Sequence, residues 1–161
     1  MDDKPDPELF NIKTDPAKLN LPKGKKIVIY LGGLHPYKGI GYLLKAIPYI
    51  SNKFHFLIMG YPVKRALEFA KRLNITNRIT FTGMIPYEKA PSYLKLGNLA
   101  VSPKILENGE SNAKIYNYLA MGLKVVCFGN EENRKILGKD GVYAKEKDPV
   151  DLANKINGWR E

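Results

Sequence analysis

The sequence predicts an α/β fold in which a parallel sheet of about six strands carries helices on both faces. Short apolar runs alternate about six times with segments whose apolar residues recur at helical spacing. The run Lys124–Phe128 is apolar on both faces, which is typical of a central parallel strand. A chain of 161 residues with 44% apolar composition can bury a core without disulfides. These features favour a doubly wound, Rossmann-like sheet with a cleft at the carboxyl ends of its strands.

The start of the chain is predicted to be an extended lead-in. Residues 1–24 hold Pro5, Pro7, Pro16 and Pro22 among scattered charges, and proline at this density disfavours a helix or a central strand. We therefore divide the chain into a lead-in at 1–24 and one globular domain at 25–161.

The first strand and helix enclose a glycine-containing loop. The apolar run Lys26–Leu31 ends in Gly32 and Gly33, and His35 and Lys38 follow. The next helix presents one apolar face, formed by Ile40, Leu43, Leu44 and Ile47. Open α/β sheets bind phosphates between a glycine-ended strand and a helix, because glycine lets a ligand approach the backbone. His35 is either a ligand contact or a solvent-facing loop residue.

The remaining elements follow from the same two periodicities. Further strands are predicted at 54–60, 78–83, 98–103, 124–128 and 141–144. Further helices are predicted at about 63–72, 92–96, 111–122 and 130–137, and after Asp148. Asp148 followed by Pro149 is an N-cap signal, since aspartate caps a helix and proline fits its first turn.

A polar loop and a helix lie just before the strand at 124–128. Ser111 is predicted to cap this helix and Gly122 to end it. The expected core face is formed by Tyr116, Leu119, Ala120 and Leu123. Lys114 and Asn117 share another face. A helix that starts beside the cleft points N–H groups at it, which favours an anion; the alternative is simply a well-capped helix.

Cysteine and histidine indicate neither a disulfide framework nor a metal site. Cys127 lies in a predicted buried strand and is expected to be an inert core thiol. His55 alternates with Phe54 and Phe56 and is expected to be structural, and the spacing of the two histidines and the cysteine is not that of metal ligands. We therefore expect no cofactor and no metal.

Charge and hydropathy bear on partners and location. No stretch approaches eighteen apolar residues and residues 1–5 contain no signal-peptide core, so we expect a cytoplasmic protein. The net charge is +10, but the basic residues are spread along the chain and no basic run has interleaved aromatic residues, so a solvated surface is favoured over nucleic-acid binding. Attraction to phosphorylated or lipid-linked substrates at an anionic membrane is the remaining option.

Several motifs together resemble one known family. The segment 111–126, with its Asn-Ala-Lys and Tyr-Leu-Ala-Met-Gly runs, looks like the donor-site helix of retaining glycosyltransferases of the GT-B fold, family 4 or group 1. The loop Gly32-Gly33-Leu34 to Lys38-Gly39 is similar to that family's phosphate loop, and Asp6 to Phe10 resembles the segment that enters its C-terminal domain. The resemblance covers nearly all of residues 6–158.

The resemblance implies a donor-binding domain for a nucleotide-diphosphate sugar. It implies that Lys38 and Lys114 contact the diphosphate and that Glu110 contacts sugar hydroxyls, with Lys38 and Glu110 as catalytic residues. The other implied donor contacts are Gly32, Gly33, His35, Met84, Ile85, Ser111, Asn112 and Asn117. Transfer of a hexose would be metal-independent and retaining, and the acceptor groups would come from an N-terminal domain, in cis or in trans. The chain alone would then be nearly inactive.

This chain departs from the family pattern at three positions. The family has an arginine where Gly33 stands and glutamates where Gly109 and Asn117 stand. Weaker donor binding is therefore expected, because an amide lacks the charge that strengthens a carboxylate–hydroxyl hydrogen bond. The alternative function is a non-catalytic nucleotide-binding or interaction module on the same fold. A nucleotide-sugar epimerase is disfavoured, since a further acid–base set is lacking.

Overall fold

Six parallel strands form a single sheet in the computed structural model, which describes residues 4–105 and 112–161. The order across the sheet is β3-β2-β1-β4-β5-β6. Their bounds are β1 Lys26–Leu31, β2 Phe54–Met59, β3 Ile79–Gly83, β4 Leu99–Ser102, β5 Lys124–Phe128 and β6 Val142–Ala144. The predicted doubly wound fold class is confirmed.

Helices cover both faces of the sheet. Their bounds are α1 Ile40–Ala46, α2 Lys64–Arg72, α3 Ala90–Leu94, α4 Lys114–Ala120, α5 Glu131–Leu137 and α6 Pro149–Asn157. Buried residues of α1, α2 and α6 belong to one core, and those of α3, α4 and α5 belong to a second core. Within a strand the side chains alternate between these cores, as in β1, where Val28 faces the first and Ile29 the second.

Strand order reverses between β1 and β4. The chain builds β1, β2 and β3 outward in one direction and then returns to place β4 on the other side of β1. β1 and β4 pair only at Val28 with Leu99 and at Ile29 with Ala100, so the two strands part before their carboxyl ends. In open α/β sheets such a switch point creates a crevice that binds ligands.

Most predicted elements lie within two residues of the observed ones. The first strand has the predicted bounds, and the predicted face of α1 is buried, with Leu43 and Ile47 at 0% exposure. The Asp148 cap is confirmed, because its carboxylate accepts a hydrogen bond from the Asp151 N–H at 3.0 Å. Helix α3 begins at Ala90, two residues earlier than predicted.

The predicted core face of α4 is confirmed for Ala120 and Leu123, which pack in the second core, and is wrong for Leu119. Ile115 and Tyr118 are its buried residues, whereas Leu119 is 40% exposed. The Tyr118 hydroxyl accepts a hydrogen bond from the Leu31 N–H at 2.9 Å and donates to the Val101 carbonyl at 3.3 Å. This hydroxyl therefore fills the gap where β1 and β4 part, and its hydrogen bonds set the rotation of the helix.

The lead-in contains neither a helix nor a strand between residues 4 and 24, but it packs on the domain. Phe10 is 4% exposed, belongs to the second core and contacts the ring of Tyr87 at a centroid distance of 5.3 Å. The Ala17 N–H donates to the Ser92 carbonyl at 2.8 Å. This segment covers the base of α3, and the boundary at residue 24 stays a prediction.

His55 and Cys127 are both buried. His55 is 5% exposed, and its Nε2 is 2.8 Å from the Thr80 hydroxyl, which supports a structural role. Burial lowers the pKa of His55, and the charges of Arg78 and Lys25 lower it further. Burial raises the pKa of the Cys127 thiol to about 12, as expected of an inert core cysteine.

Candidate functional site

The crevice at the switch point consists of two adjoining cavities. The first has a volume of about 220 Å³ and lies between the carboxyl ends of β1 and β4 and the start of α4. The second has a volume of about 380 Å³ and lies over the ends of β1, β2 and β3. Leu31 and Lys114 line both cavities, so a single elongated ligand can occupy them together.

Three lysines line the first cavity. Lys38 comes from the loop after β1, Lys104 from the loop after β4, and Lys114 from the first turn of α4. No aspartate or glutamate is among the described residues that line it. Three cations in a partly enclosed cavity favour an anionic ligand such as a diphosphate, since the local dielectric screens their charge less than bulk water does.

Close backbone packing brings the loops after β1 and β4 together. Gly39 has a φ of +83°, and a Cβ atom at this position would overlap the Pro103 carbonyl. Only glycine satisfies both conditions, because the left-handed region and the close contact each exclude a side chain. This contact holds Lys38, the residue before Gly39, next to the loop that carries Lys104.

Gly32 leaves room for the Lys114 side chain. A Cβ atom at Gly32 would overlap the Lys114 ammonium and would lie 3.1 Å from both Cδ and Cε. The lysine therefore extends across the end of β1 from α4. At Gly33, by contrast, a Cβ atom would have only ordinary contacts, with Lys38 Cγ at 3.5 Å and His35 Cδ2 at 3.7 Å.

Two buried tyrosines fix the floor of the first cavity. The Tyr30 hydroxyl donates to the Gly33 carbonyl at 2.6 Å, and the Tyr118 hydroxyl bridges β1 and β4 as described above. Burial raises the pKa of both phenols well above the ordinary range. Both stay neutral and keep their protons, so they act as hydrogen-bond donors that hold the strand ends apart.

A buried polar network anchors the chain where it enters α4. Asn112 is 4% exposed, and its side-chain amide donates to the Ser102 hydroxyl at 2.7 Å and to the Asn133 side-chain oxygen at 3.0 Å. Asn133 in turn donates to the Phe128 carbonyl at 2.9 Å. The Asn112 N–H donates to Glu132 at 3.0 Å. This N–H is therefore engaged within the protein, and its predicted contact with a ligand would require Glu132 to move.

The second cavity has an apolar and partly exposed wall. Met84 is 71% exposed, Tyr61 is 61% exposed and Tyr87 is 52% exposed, while Ile85 packs against the second core. Asn117 lies on the α4 side of this cavity. An apolar wall with one amide opposite it suits a flat ring joined to hydroxyl groups.

The structure places most of the predicted site residues in one crevice. Eight of them line it: Gly32, Gly33, Lys38, Met84, Ile85, Asn112, Lys114 and Asn117. His35 does not line either cavity, but its ring lies beside Gly33. Glu110 and Ser111 lie outside the described residues, as does the predicted cap of α4. The ligand contacts assigned to all of these residues stay predictions.

Other residues of the crevice were not predicted from the sequence. They are Tyr30, Leu31, Met59, Gly60, Tyr61, Tyr87, Ala90, Ser102, Pro103, Lys104, Ala113 and Tyr118. Lys104 and Tyr61 each follow the end of a parallel strand, and this position is the signal that identifies them, because carboxyl ends of strands converge on the cleft. Tyr118 has no such signal, since only the packed structure shows where its hydroxyl lies.

Comparison with known proteins identifies the family. A family model described as "Glycosyl transferases group 1" matches residues 25–159. The chain belongs to the group 1 glycosyl transferases. Protein CapJ of Staphylococcus aureus is similar to this member, with 29% identity over 146 residues. The match covers 86% of this chain and 36% of CapJ.

Solved structures of glycosyltransferases share the fold of this group 1 member. Sucrose-phosphate synthase from Thermosynechococcus elongatus is 25% identical with a TM-score of 0.76, and the match covers 91% of this chain and 40% of the synthase. Anabaena HepE in complex with UDP and glucose is 21% identical with a TM-score of 0.73, over 83% of this chain and 38% of HepE. The catalytic domain of a cholesterol-alpha-glucosyltransferase from Helicobacter pylori has a TM-score of 0.70 at 20% identity, over 83% of this chain and 85% of that domain.

These comparisons confirm the resemblance found in the sequence. The six-stranded parallel sheet with helices on both faces is that of one half of a GT-B glycosyltransferase. The chain spans well under half of the length of CapJ and of the synthase. None of the helices in the described residues has the length and apolar character needed to cross a membrane.

Proposed function

We propose that this chain binds a nucleotide-diphosphate sugar as the donor domain of a hexosyltransferase. The observation that carries the proposal is the convergence of Lys38, Lys104 and Lys114 on one cavity at the switch point of a group 1 glycosyl transferase fold. The diphosphate would occupy this cavity. The negative charges of the two adjacent phosphates would be stabilised by cations, and among the described residues these three lysines are the cations that line the cavity.

The second cavity would hold the nucleoside. Met84 and Tyr61 would offer an apolar surface to the base, and Asn117, which lines the same cavity, is the residue proposed to contact a ribose hydroxyl. The sugar would follow the diphosphate, and Glu110 is the residue proposed to contact its hydroxyls. UDP is the first nucleotide to test, because HepE has been solved in complex with UDP and with UDP-glucose.

Catalysis by such a site would be electrostatic. As the bond between the sugar C1 and the diphosphate oxygen breaks, its electron pair goes to the oxygen, and C1 gains positive charge. Lys38 and Lys114 would stabilise the departing diphosphate, which is why we propose transfer without a metal. Retention is proposed because segment 111–126 resembles the donor-site helix of retaining glycosyltransferases. Tyr30 and Tyr118 stay outside the reaction as neutral positioning groups, since their hydrogen bonds go to the backbone.

The acceptor would be bound by a second domain, in cis or in trans. CapJ and the synthase are more than twice as long as the segment that this chain matches, which supports such a partner. The chain alone is then expected to bind donor and to transfer sugar very slowly. We further propose a cytoplasmic location at an anionic membrane, where a lipid-linked acceptor would be available.

Calorimetric titration with UDP, GDP and ADP tests the donor site. Saturable binding of one nucleotide is expected, and Lys38→Ala should weaken it by about tenfold or more, because a charge-assisted hydrogen bond is lost. Lys135→Ala is the matched control, since Lys135 is an exposed lysine of α5 that pairs with Glu131 at 3.2 Å, away from the crevice. Failure of all three nucleotides to bind would contradict the proposal, and so would an equal loss in both variants.

A non-catalytic nucleotide-binding module is the second candidate. It is favoured by Gly33 and Asn117, which stand where the family pattern has an arginine and a glutamate. Asn117→Glu tests the ribose contact that both candidates share, because a carboxylate should bind ribose hydroxyls more tightly than an amide does. Tighter nucleotide binding by this variant is expected if Asn117 contacts the ribose, and unchanged affinity would count against that assignment. Sugar transfer by the chain together with its acceptor domain would then exclude the non-catalytic module.

A further inference from the structure

The net positive charge of the protein arises in one part of the chain. Residues 16–87 contain twelve of the 26 lysines and arginines but only one of the sixteen acids, Glu68, and therefore carry +11. The other residues carry 14 basic and 15 acidic side chains, a net charge of −1. Residues 16–87 build β1, α1, β2, α2 and β3, which form one half of the sheet and two helices on one of its faces. The field of the protein is thus strongly polarised toward that half.

An apolar groove lies in this half, between α1 and α2. Its volume is about 230 Å³, and Ile40, Leu44 and Phe69 provide apolar lining. Lys45, Arg65 and Arg72 lie at its sides, and all three are exposed. Among the described residues these three cations form no ion pair with an acid. We call this feature the basic groove.

The basic groove adjoins the crevice. Leu34 and Pro36 line the groove, while Gly32 and Gly33 of the same loop line the second cavity. This loop separates the basic groove from the second cavity of the crevice. A molecule bound in the groove would therefore lie beside the cavity proposed to hold the nucleoside.

We propose that the basic groove docks the protein on an anionic phospholipid bilayer. The three cations would meet phosphate headgroups, and the apolar lining would accommodate part of a lipid that enters between α1 and α2. Charge complementarity carries this choice, because a groove that is lined, among the described residues, by three cations and no acid, in a segment with a net charge of +11, attracts an anionic surface. The apolar lining suits a lipid rather than a wholly polar anion. The inference deepens the proposed membrane contact and does not depend on nucleotide binding.

Nucleic acid is a weaker fit to the same surface. Single-stranded nucleic acid needs exposed aromatic rings on which bases stack between the cations. Phe69 is the aromatic residue that lines the groove, and the Arg72 guanidinium covers its ring at 5.5 Å from the centroid. The groove therefore presents cations and aliphatic surface rather than a stacking platform.

Co-sedimentation with vesicles tests the charge part of the proposal. Binding to phosphatidylcholine vesicles that contain phosphatidylglycerol is expected, with little binding to phosphatidylcholine alone. Each cation near an anionic surface contributes about fivefold in affinity, so Lys45→Gln/Arg65→Gln/Arg72→Gln should weaken binding by about a hundredfold. The control Lys95→Gln/Lys124→Gln/Lys139→Gln removes the same charge from exposed positions outside residues 16–87 and should weaken binding far less. Equal losses in the two triple variants would overturn the proposal.

A second variant tests the groove itself. Gly41 lines the groove, and a Cβ atom there would have no heavy atom within 4 Å, so Gly41→Leu fills the groove without a clash. Its helix should not be destabilised, since leucine is a better helix former than glycine. Weaker vesicle binding by Gly41→Leu supports the groove as the lipid site, and unchanged binding overturns it.

Two further measurements separate this proposal from others. Both the basic-groove variants should bind nucleotide like the unmodified chain, so loss of vesicle binding and loss of donor binding are distinguishable. A single-stranded oligonucleotide at the same salt concentration should compete poorly with vesicles. If the oligonucleotide bound as tightly as the vesicles do, the surface would not select lipid, and the proposal would be overturned.

Discussion

Replacing Gly32 with alanine should impair diphosphate binding by moving Lys114. A Cβ atom at Gly32 overlaps the Lys114 ammonium and lies 3.1 Å from Cδ and Cε, so the end of this side chain must shift by roughly an ångström to reach ordinary contact distances. A shift of that size lengthens a charge-assisted hydrogen bond well beyond its preferred distance. The lost interaction contributes about 2 kcal/mol, which corresponds to about a thirtyfold increase in the nucleotide Kd.

The fold should tolerate this change. The atoms in conflict belong to the flexible end of a lysine, and Gly32 does not have a left-handed φ. The free energy of unfolding in urea should therefore change by less than about 1 kcal/mol. Gly41→Ala is the control, because among the described residues its Cβ would have no heavy atom within 4 Å and Gly41 does not line the crevice. This variant should bind nucleotide within about twofold of the unmodified chain.

A double-mutant cycle gives the decisive comparison. If Gly32→Ala acts through Lys114, then Gly32→Ala/Lys114→Ala should bind nucleotide no more weakly than Lys114→Ala alone. Calorimetric titration of the four proteins measures this directly. Full additivity, or a loss in Gly41→Ala as large as that in Gly32→Ala, would refute the reasoning.

Three further predictions concern stability and reactivity. Asn133→Ala should lower the free energy of unfolding in urea by about 2 kcal/mol, because it leaves the buried amide of Asn112 short of a partner, and an unchanged midpoint would contradict the role of the network. The pKa of His55 is lowered in the folded state, so the unfolded state takes up its proton first, and stability present above the unfolded pKa of about 6.5 is lost as the pH falls toward the lowered folded value. His55→Gln should flatten the fall in Tm over that acidic range relative to the unmodified chain; identical Tm profiles for the variant and the unmodified chain would contradict this prediction. Cys127 is buried with its pKa raised to about 12, so the native protein should react with a disulfide reagent only as fast as it unfolds, and rapid labelling of the native state would count against an inert thiol.

The sequence determined the architecture because each element carries its own local signal. The continuous apolar run of β1 is followed by apolar residues at helical spacing in α1, and Asp148 with Pro149 marks the start of α6. These signals depend on neighbours along the chain, which is why the strands, the helices and their parallel connection follow from the residues alone. The glycines at the end of β1 likewise indicated the crevice.

The rotation of α4 depended on contacts between distant residues. This helix has apolar residues on all its sides, so spacing alone favours the face containing Leu119 and the face containing Tyr118 equally as the buried face. Tyr118 is buried because its hydroxyl accepts a hydrogen bond from the N–H of Leu31, 87 residues away, at the gap between β1 and β4. A polar partner so distant in sequence leaves no periodic signal.

The composition of the crevice was likewise a tertiary property. From its own sequence context, Lys104 is a single basic residue after a strand, and Asn133 is a polar residue in a short helix. The sheet places Lys104 beside Lys38 and Lys114, and it buries Asn133 against Asn112. The sequence therefore determined which strands and helices form and where the cleft opens, because those features follow from local periodicity. Only the packed structure decided which cations share a cavity and which polar groups are buried, because those features depend on strand order and on hydrogen bonds between distant segments.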